Sequence, residues 1–295
     1  MGLKSFVKGA LLTAGYEIRK TGMSQSTMAS PGHFHSTIRM SDYLPVISEI
    51  PSEFRGGRNV HDGYQRGWGL QFGGLRERVA SDEDYRYALR CADGRQWLTQ
   101  ENLMNIFLII KFYLPHMSFG HIIEFGSYRV GSALFMAALA ERFLPGVEVY
   151  ALDTFTGMPG TDKTVDAHKV GDFANVDFDE VLEAVTRSRL KNIHIVRGLF
   201  QDTALTVLNT VETIALCHID CDIYESVKFA YNVCKSYMIP DGYVVFDDST
   251  MSSCIGATEV VEEFVIRRDG LLSEQIYPHH VFRIGIDTSP KESHD

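Results

Sequence analysis

The chain has 295 residues, 45% hydrophobic and 22% charged, a composition that suits a folded globular protein and excludes collagen, coiled coil and wholesale disorder. A net charge of −10 repels phosphate backbones and argues against nucleic acid as a general partner. The five cysteines are odd in number and form no CxxC pair, which points to reduced thiols in a cytoplasmic protein and away from a disulfide framework or a zinc site.

Residues 1–20 stand apart. Leu3, Phe6, Val7, Ala10, Leu11 and Ala14 recur at helical spacing, and Lys4, Lys8, Arg19 and Lys20 carry positive charge. This basic amphipathic leader suits peripheral contact with the inner face of a membrane, and equally an ordinary helix packed on the body or on a partner subunit. No run of about 18 apolar residues occurs, so no transmembrane helix is expected. The N-terminus also lacks the apolar core and cleavage site of a signal peptide. Residues 21–60, rich in Ser, Thr, Gly, Pro and Met, read as loop or mobile lid. Helical segments start near Ser81 and Thr99. The second carries Leu103, Ile106, Phe107, Ile110 and Tyr113 on one face until Pro115 stops it. Residues 21–118 are therefore expected to form an N-terminal helical cap.

From His121 short apolar runs alternate with helical segments. The runs fall at 121–125, 147–152, 193–196, 213–219 and 243–246, the helical segments between them at 132–143, 177–189, 203–208 and 225–237. Such alternation predicts an α/β fold with a mostly parallel sheet and helices on both faces. A further helix at 257–267 precedes two closely spaced runs, 273–277 and 280–286, expected to pair antiparallel at one end of a seven-stranded sheet. The α/β domain thus spans 119–287, and residues 288–295 read as a tail.

Three motifs carry chemistry. In Ile123-Glu-Phe-Gly-Ser-Tyr-Arg-Val-Gly-Ser132 an apolar strand runs into a glycine-bearing turn and then a helix. Ligands of doubly wound sheets lie above such a turn, and Gly126 and Gly131 would let the backbone approach one closely. The dinucleotide spacing G-x-G-x-x-G is absent; the E-x-G-x-x-x-x-G form of S-adenosylmethionine (SAM) sites is present. In Tyr150-Ala-Leu-Asp-Thr-Phe155 the carboxylate of Asp153 ends the second strand, where it can accept both ribose hydroxyls of a nucleoside or cap a helix. The strongest motif is double. His218-Ile-Asp-Cys-Asp-Ile-Tyr-Glu-Ser226 and Val244-Val-Phe-Asp-Asp248 end adjacent strands, so Asp220, Asp222, Asp247 and Asp248 converge. Two unit charges ~4 Å apart repel by roughly 4 kcal/mol at an effective dielectric of 20, so such a cluster calls for a cation. All-oxygen ligands favour a hard ion, Mg²⁺ first, then Ca²⁺ or Mn²⁺.

With these motifs in view, the stretch from His121 to Arg283 resembles the metal-dependent O-methyltransferases of the macrocin O-methyltransferase family. The matching pieces are Glu124-Phe-Gly-Ser-Tyr-Arg-Val-Gly-Ser132, Asp153-Thr-Phe-Thr-Gly-Met-Pro159, Gly171-Asp-Phe173, Gly198-Leu-Phe-Gln-Asp-Thr203, the 218–226 motif and Asp241-Gly-Tyr-Val-Val-Phe-Asp-Asp248. The resemblance implies a Rossmann-like class I methyltransferase that uses SAM and methylates a sugar hydroxyl of a natural-product glycoside or a cell-surface glycan. It implies metal binding at Asp220, Asp247 and Asp248 with Asp222 as the general base; His168 and His218 stand behind it as fallback bases. It also implies SAM contacts from Glu124, Gly126, Ser127, Tyr128, Gly131 and Ser132 and from Asp153, Thr154 and Phe155. Gly198, Phe200 and Asp220 complete that set. Arg129 is placed against the methionine carboxylate or in a surface ion pair. Asp172 and Phe173 are placed near the adenine or methionine end, and Asp202 near the adenine amine or as a helix cap. The expected partners are a small-molecule or glycan acceptor and further copies of the chain in a homo-oligomer. Two rival activities are weighed: a metal-dependent catechol or phenol O-methyltransferase, and an NAD-dependent oxidoreductase.

Overall fold

Strands at the centre of a parallel sheet are buried on both faces, so each should divide its side chains between two apolar layers. The computed structural model, which describes residues 53–54, 58–59, 70, 74–273 and 280–284, shows this division. The strands are β1 (His121–Phe125), β2 (Val149–Asp153), β3 (Ile193–Arg197), β4 (Ile214–Ile219), β5 (Met238–Phe246) and β6 (His280–Arg283). Ile122 of β1 and Leu216 of β4 enter one core; Ile123, Phe125, Cys217 and Ile219 enter the other.

The strand order is β3-β2-β1-β4-β5-β6, with β1 to β5 parallel and β6 antiparallel to β5. The chain steps outward from β1 to β3 and then crosses back to β4 on the other side of β1. That reversal opens a crevice at the carboxyl ends of β1 and β4, where doubly wound sheets bind ligands. The sheet has six strands among the described residues rather than the seven expected. The stretch 273–277 contributes a single antiparallel bridge, Ser273 to Phe282, and its next residues lie outside the described ones. Strand β5 starts earlier than its apolar run, at Met238. Asp241, at φ 64°, interrupts the ladder with a register shift but leaves the backbone extended on both sides.

The helices are α1 (Leu75–Ser81), α2 (Glu83–Ala92), α3 (Gln100–Leu108), α4 (Gly131–Phe143), α5 (Phe178–Ser188), α6 (Phe200–Val211), α7 (Tyr224–Cys234) and α8 (Ile255–Val260). Wide π turns extend α3 over Ile109–Tyr113 and α8 over Val261–Arg268. Helix α4 is buried from Gly131 to Ala140, because α2 and α3 cover the side that the sheet does not. Tyr85 of α2 joins them, packing edge-on against Phe107 of α3 at 5.4 Å and Phe135 of α4 at 5.6 Å. From residue 75 the expected cap is therefore built into the same core as the sheet. Helices α6 to α8 cover the opposite face. Within the stretch read as loop, residues 53–54 and 58–59 pair as a short antiparallel ribbon. The amphipathic leader 1–20 and the tail 288–295 lie outside the described residues. No helix among the described residues is long and apolar enough to cross a membrane, and all five cysteines are free thiols.

One ionic tie locks α7 to the end of the α8 extension. Asp269 accepts from Arg268 Nε at 2.7 Å, from Lys235 Nζ at 2.9 Å and from Tyr231 Oη at 2.7 Å. Arg268 first, then Lys235 and Tyr231, hold its carboxyl well below the usual carboxylate range. A depressed folded-state pKa stabilises above the unfolded value of about 4 and loses that contribution as the pH falls below it. Asp269→Asn is expected to cost about 2 kcal/mol in urea unfolding at pH 7. The gap from the wild type should narrow steadily between pH 4 and pH 2.5; a constant gap would count against the tie.

Candidate active site

The turn after β1 is shaped by a contact between chain segments. Gly126 has φ +89°, and a Cβ there would stand 1.8 Å from the Asp220 carbonyl oxygen, so only glycine lets the β1 and β4 ends meet. Tyr128 (φ 45°) and Val130 (φ 60°) also take left-handed conformations. The result aims two amides at one carboxylate. Ser127 N and Tyr128 N donate to Asp153 Oδ2 at 2.9 and 2.8 Å, and Phe155 N donates to Asp153 Oδ1 at 2.7 Å. Burial pushes the Asp153 carboxyl up, and these three amides pull it back only in part.

Across the switch point the β4 and β5 ends bring their carboxylates together. Oxygens of Asp220, Asp247 and Asp248 all lie within 4.8 Å of one another. Burial first, and then the neighbouring carboxylates, push both Asp220 and Asp248 well above the usual range. Asn102 Nδ2, from the first turn of α3, donates to Asp247 Oδ1 at 2.7 Å, and Asp222 N donates to Asp248 Oδ2 at 3.0 Å. Beneath them His218 is wholly buried, its Nδ1 3.0 Å from Glu124 Oε1 and its Nε2 3.5 Å from Asp247 Oδ1. Burial opposes its charge, but Asp247 and Glu124 outweigh it and raise His218 to about 9. Three carboxylates converging this closely, with raised affinity for positive charge, fit a hard divalent cation.

Asp222 takes φ 59° and turns away from this cluster. Its Oδ1 faces Cys254 Sγ at 3.4 Å and His168 Nε2 at 3.7 Å. Burial raises the Asp222 carboxyl, and the facing His168 draws it back.

These groups line one cavity of about 300 Å³. Of the residues singled out in the sequence, Gly126, Tyr128, Asp153, Thr154, His168, Phe173 and Phe200 line it, as do Asp220, Asp222, Asp247 and Asp248. The others lie behind or beside it. Glu124 is sealed in the His218 contact. Ser127 offers its amide, and Ser132 is buried in the first turn of α4. Gly131 makes room for the chain itself: a Cβ there would lie 2.0 Å from Gln96 N. Arg129 stacks on Tyr128, 5.0 Å from the ring centre, and donates to the Asn175 carbonyl. Phe155 packs on Phe178. Asp172 accepts from Lys169 N and faces His168 Nδ1 at 3.2 Å. Gly198, at φ +149°, turns the chain into α6, and Asp202 lies in the exposed first turn of that helix.

Sequence reasoning missed the contribution from the first turn of α3 and the segment before it. Trp97, Leu98, Thr99 and Asn102 all line the cavity. Thr99 caps α3 by accepting from Asn102 N, and its hydroxyl donates to Asn102 Oδ1 at 2.6 Å, which orients the amide toward Asp247. Asn102 was detectable in principle: it is a polar residue heading a buried apolar helix, and buried polar groups need partners. Cys254, read only as a buried thiol, was not.

A glycine-bearing turn after β1, an acidic residue at the end of β2 and a cleft at the switch point fit a Rossmann-like class I methyltransferase, an enzyme that uses SAM. The model of the macrocin-O-methyltransferase (TylF) family matches residues 102–272, and the chain belongs to that family of O-methyltransferases. It is 25% identical over 178 residues to the 8-demethyl-8-(2,3-dimethoxy-alpha-L-rhamnosyl)-tetracenomycin-C 4'-O-methyltransferase of Streptomyces olivaceus, covering 55% of this chain and 67% of the relative. It is 24% identical over 205 residues to the demethyldecarbamoylnovobiocin O-methyltransferase of Streptomyces niveus, covering 64% and 76%. Among solved structures, the O-methyltransferase NovP superposes with a TM-score of 0.55 at 22% identity, over 62% of this chain and 79% of that one. The calicheamicin methyltransferase CalS11 gives 0.51 at 18% identity, over 72% and 93%. These structures share the fold. The family sets aside the NAD-dependent oxidoreductase.

Proposed function

We propose that the chain methylates a sugar hydroxyl of a glycoside natural product or a cell-surface glycan, with SAM as donor and a divalent cation, Mg²⁺ first, as a requirement. The observation that carries this reading is the convergence of Asp220, Asp247 and Asp248 in the cleft that also holds Asp153. Both relatives are named as O-methyltransferases, one of a rhamnosyl-tetracenomycin and the other of demethyldecarbamoylnovobiocin, and the first name carries a sugar.

Asp220, Asp247 and Asp248 would hold the cation, which would supply Lewis acidity there and lower the pKa of an alcohol. SAM supplies a sulfonium methyl whose transfer to oxygen leaves the bonding electron pair on sulfur. Asp153 accepts the ribose hydroxyls, with its geometry preset by three amides. Asn102 fixes the rotamer of Asp247. Asp222, turned toward the cavity, takes the proton that the hydroxyl loses. Trp97, Tyr128 and Phe173 form an aromatic wall, with ring centres 6.1 and 5.3 Å apart in succession. Trp97 remains 71% exposed on this wall and offers its face to the apolar side of a sugar ring.

The test is calorimetric titration of SAM with and without Mg²⁺, followed by a methyl-transfer screen over sugar and catechol acceptors. SAM binding, with transfer to sugars abolished by EDTA and restored by Mg²⁺, is the expected result. Transfer to catechols alone would replace the acceptor class, and EDTA-resistant transfer would remove the cation.

A further inference from the structure

Cys254, His168 and Asp222 meet in a triangle of sulfur, nitrogen and oxygen donors, two of its sides weak thiol hydrogen bonds. Cys254 Sγ lies 3.4 Å from Asp222 Oδ1 and 3.7 Å from His168 Nε2. His168 Nε2 lies 3.7 Å from Asp222 Oδ1, beyond the range of an N–H···O bond. A tetrahedral zinc ion, with its ordinary bonds to sulfur, nitrogen and oxygen, sets its ligands about 3.3–3.6 Å apart. The three donors already stand near that spacing, and each comes from a different place: the loop after β2, the turn after β4 and the start of α8.

A second feature is independent of the triangle. Asp172 Oδ2 lies 3.2 Å from His168 Nδ1. A carboxylate on that nitrogen holds the proton there and leaves the Nε2 lone pair facing Cys254 and Asp222, the arrangement that supports metal-ligating histidines. All three donors line the cleft, so the cavity can supply a water as the fourth ligand.

We propose that His168, Asp222 and Cys254 form a binding site for Zn²⁺, separate from the three-aspartate cluster and selective for a softer ion through its sulfur and nitrogen donors. Cys254 loses its proton to solvent on binding, so each ion taken up releases one. The effect on turnover rests on the role given above to Asp222. A zinc ion occupies its Oδ1 and stops methyl transfer, which makes the site an inhibitory one.

The experiment is titration of the full chain with Co²⁺ as a spectroscopic stand-in for Zn²⁺, in excess Mg²⁺, followed by displacement with Zn²⁺. One equivalent giving thiolate-to-cobalt charge-transfer absorption, erased by Zn²⁺, is expected. Cys254→Ser should abolish the band, and Asp172→Asn should weaken Zn²⁺ binding about 10–100-fold. The wild-type spectrum alone reports sulfur ligation if a variant fails to fold. No charge-transfer band in the wild type, or a band unchanged in Cys254→Ser, would overturn the site. The band needs no acceptor. A protein that shows it but transfers no methyl group would refute the proposed function and keep the zinc site, and methyl transfer without the band would do the reverse.

Discussion

Asp247→Asn is expected to lower methyl transfer about a thousandfold while changing SAM affinity by no more than about twofold. Loss of a metal ion's charge stabilisation is worth several kcal/mol, and each 1.36 kcal/mol is tenfold in rate. Asp247 is the most connected of the three converging carboxylates: Asn102 orients it from above and His218 lies against it from below. The amide removes one anionic oxygen from the cluster and disturbs both neighbours. SAM affinity is spared because Asp153 and the amides that hold it lie on the other side of the switch point, and separated sites act nearly independently. The check is turnover against Mg²⁺ concentration beside a calorimetric SAM titration. Asn102→Ala supplies the graded companion. It leaves the three carboxylates in place, so it should weaken the cation about 10–100-fold, with turnover recovered at high Mg²⁺. Wild-type turnover in Asp247→Asn would mean that these aspartates do not hold the ion.

Gly126→Ala is expected to be the most damaging glycine-to-alanine change among the described residues. The added Cβ would fall 1.8 Å from the Asp220 carbonyl oxygen, against backbone that cannot rotate away, and φ +89° is strained for any L residue. Overpacking costs about 1–3 kcal/mol and the backbone strain about another 1–3, together about 4 kcal/mol. For a domain of this size that lowers the melting temperature by about 10 °C. Gly146→Ala is the control. Its φ is +83°, yet the nearest atom to the new Cβ is a Phe119 ring carbon at 3.7 Å. It should cost only the strain, about 1 kcal/mol. Equal losses in the two variants would show that the β1–β4 contact is not what demands glycine. Because the displaced backbone is that of Asp220, Gly126→Ala should weaken cation binding as well as stability.

The α/β class, the parallel strands and the aspartate cluster were legible because each is written in local pattern. Buried strands must be short apolar runs, the helices between them must show a 3.6-residue period, and a functional side chain in this architecture sits at a strand's carboxyl end. Asp153, Asp220, Asp222, Asp247 and Asp248 all follow that rule. Boundaries were less legible: α6 runs from Phe200 to Val211 where its pattern marked only 203–208.

What the residues' spacing could not carry was which atoms face each other across long separations. The same motif that announced a ligand turn holds two glycines whose partners are the chain's own backbone, at Asp220 for Gly126 and at Gln96 for Gly131. Glu124, placed by the motif against the cofactor, is instead sealed against His218. Asn102 meets Asp247 across 145 positions and Cys254 meets His168 across 86. No local period records such pairs; they exist because α3 and α8 close over the crevice from either side. The sequence by itself determined the α/β class and the acidic cluster, since those follow from periodicity and from where strands end, and it pointed to the cofactor through a motif and the family that the motif resembles. Only the tertiary structure decided how the cluster is held, which carboxylate turns toward the cavity and which thiol it meets, since those depend on contacts between segments that are distant in the chain.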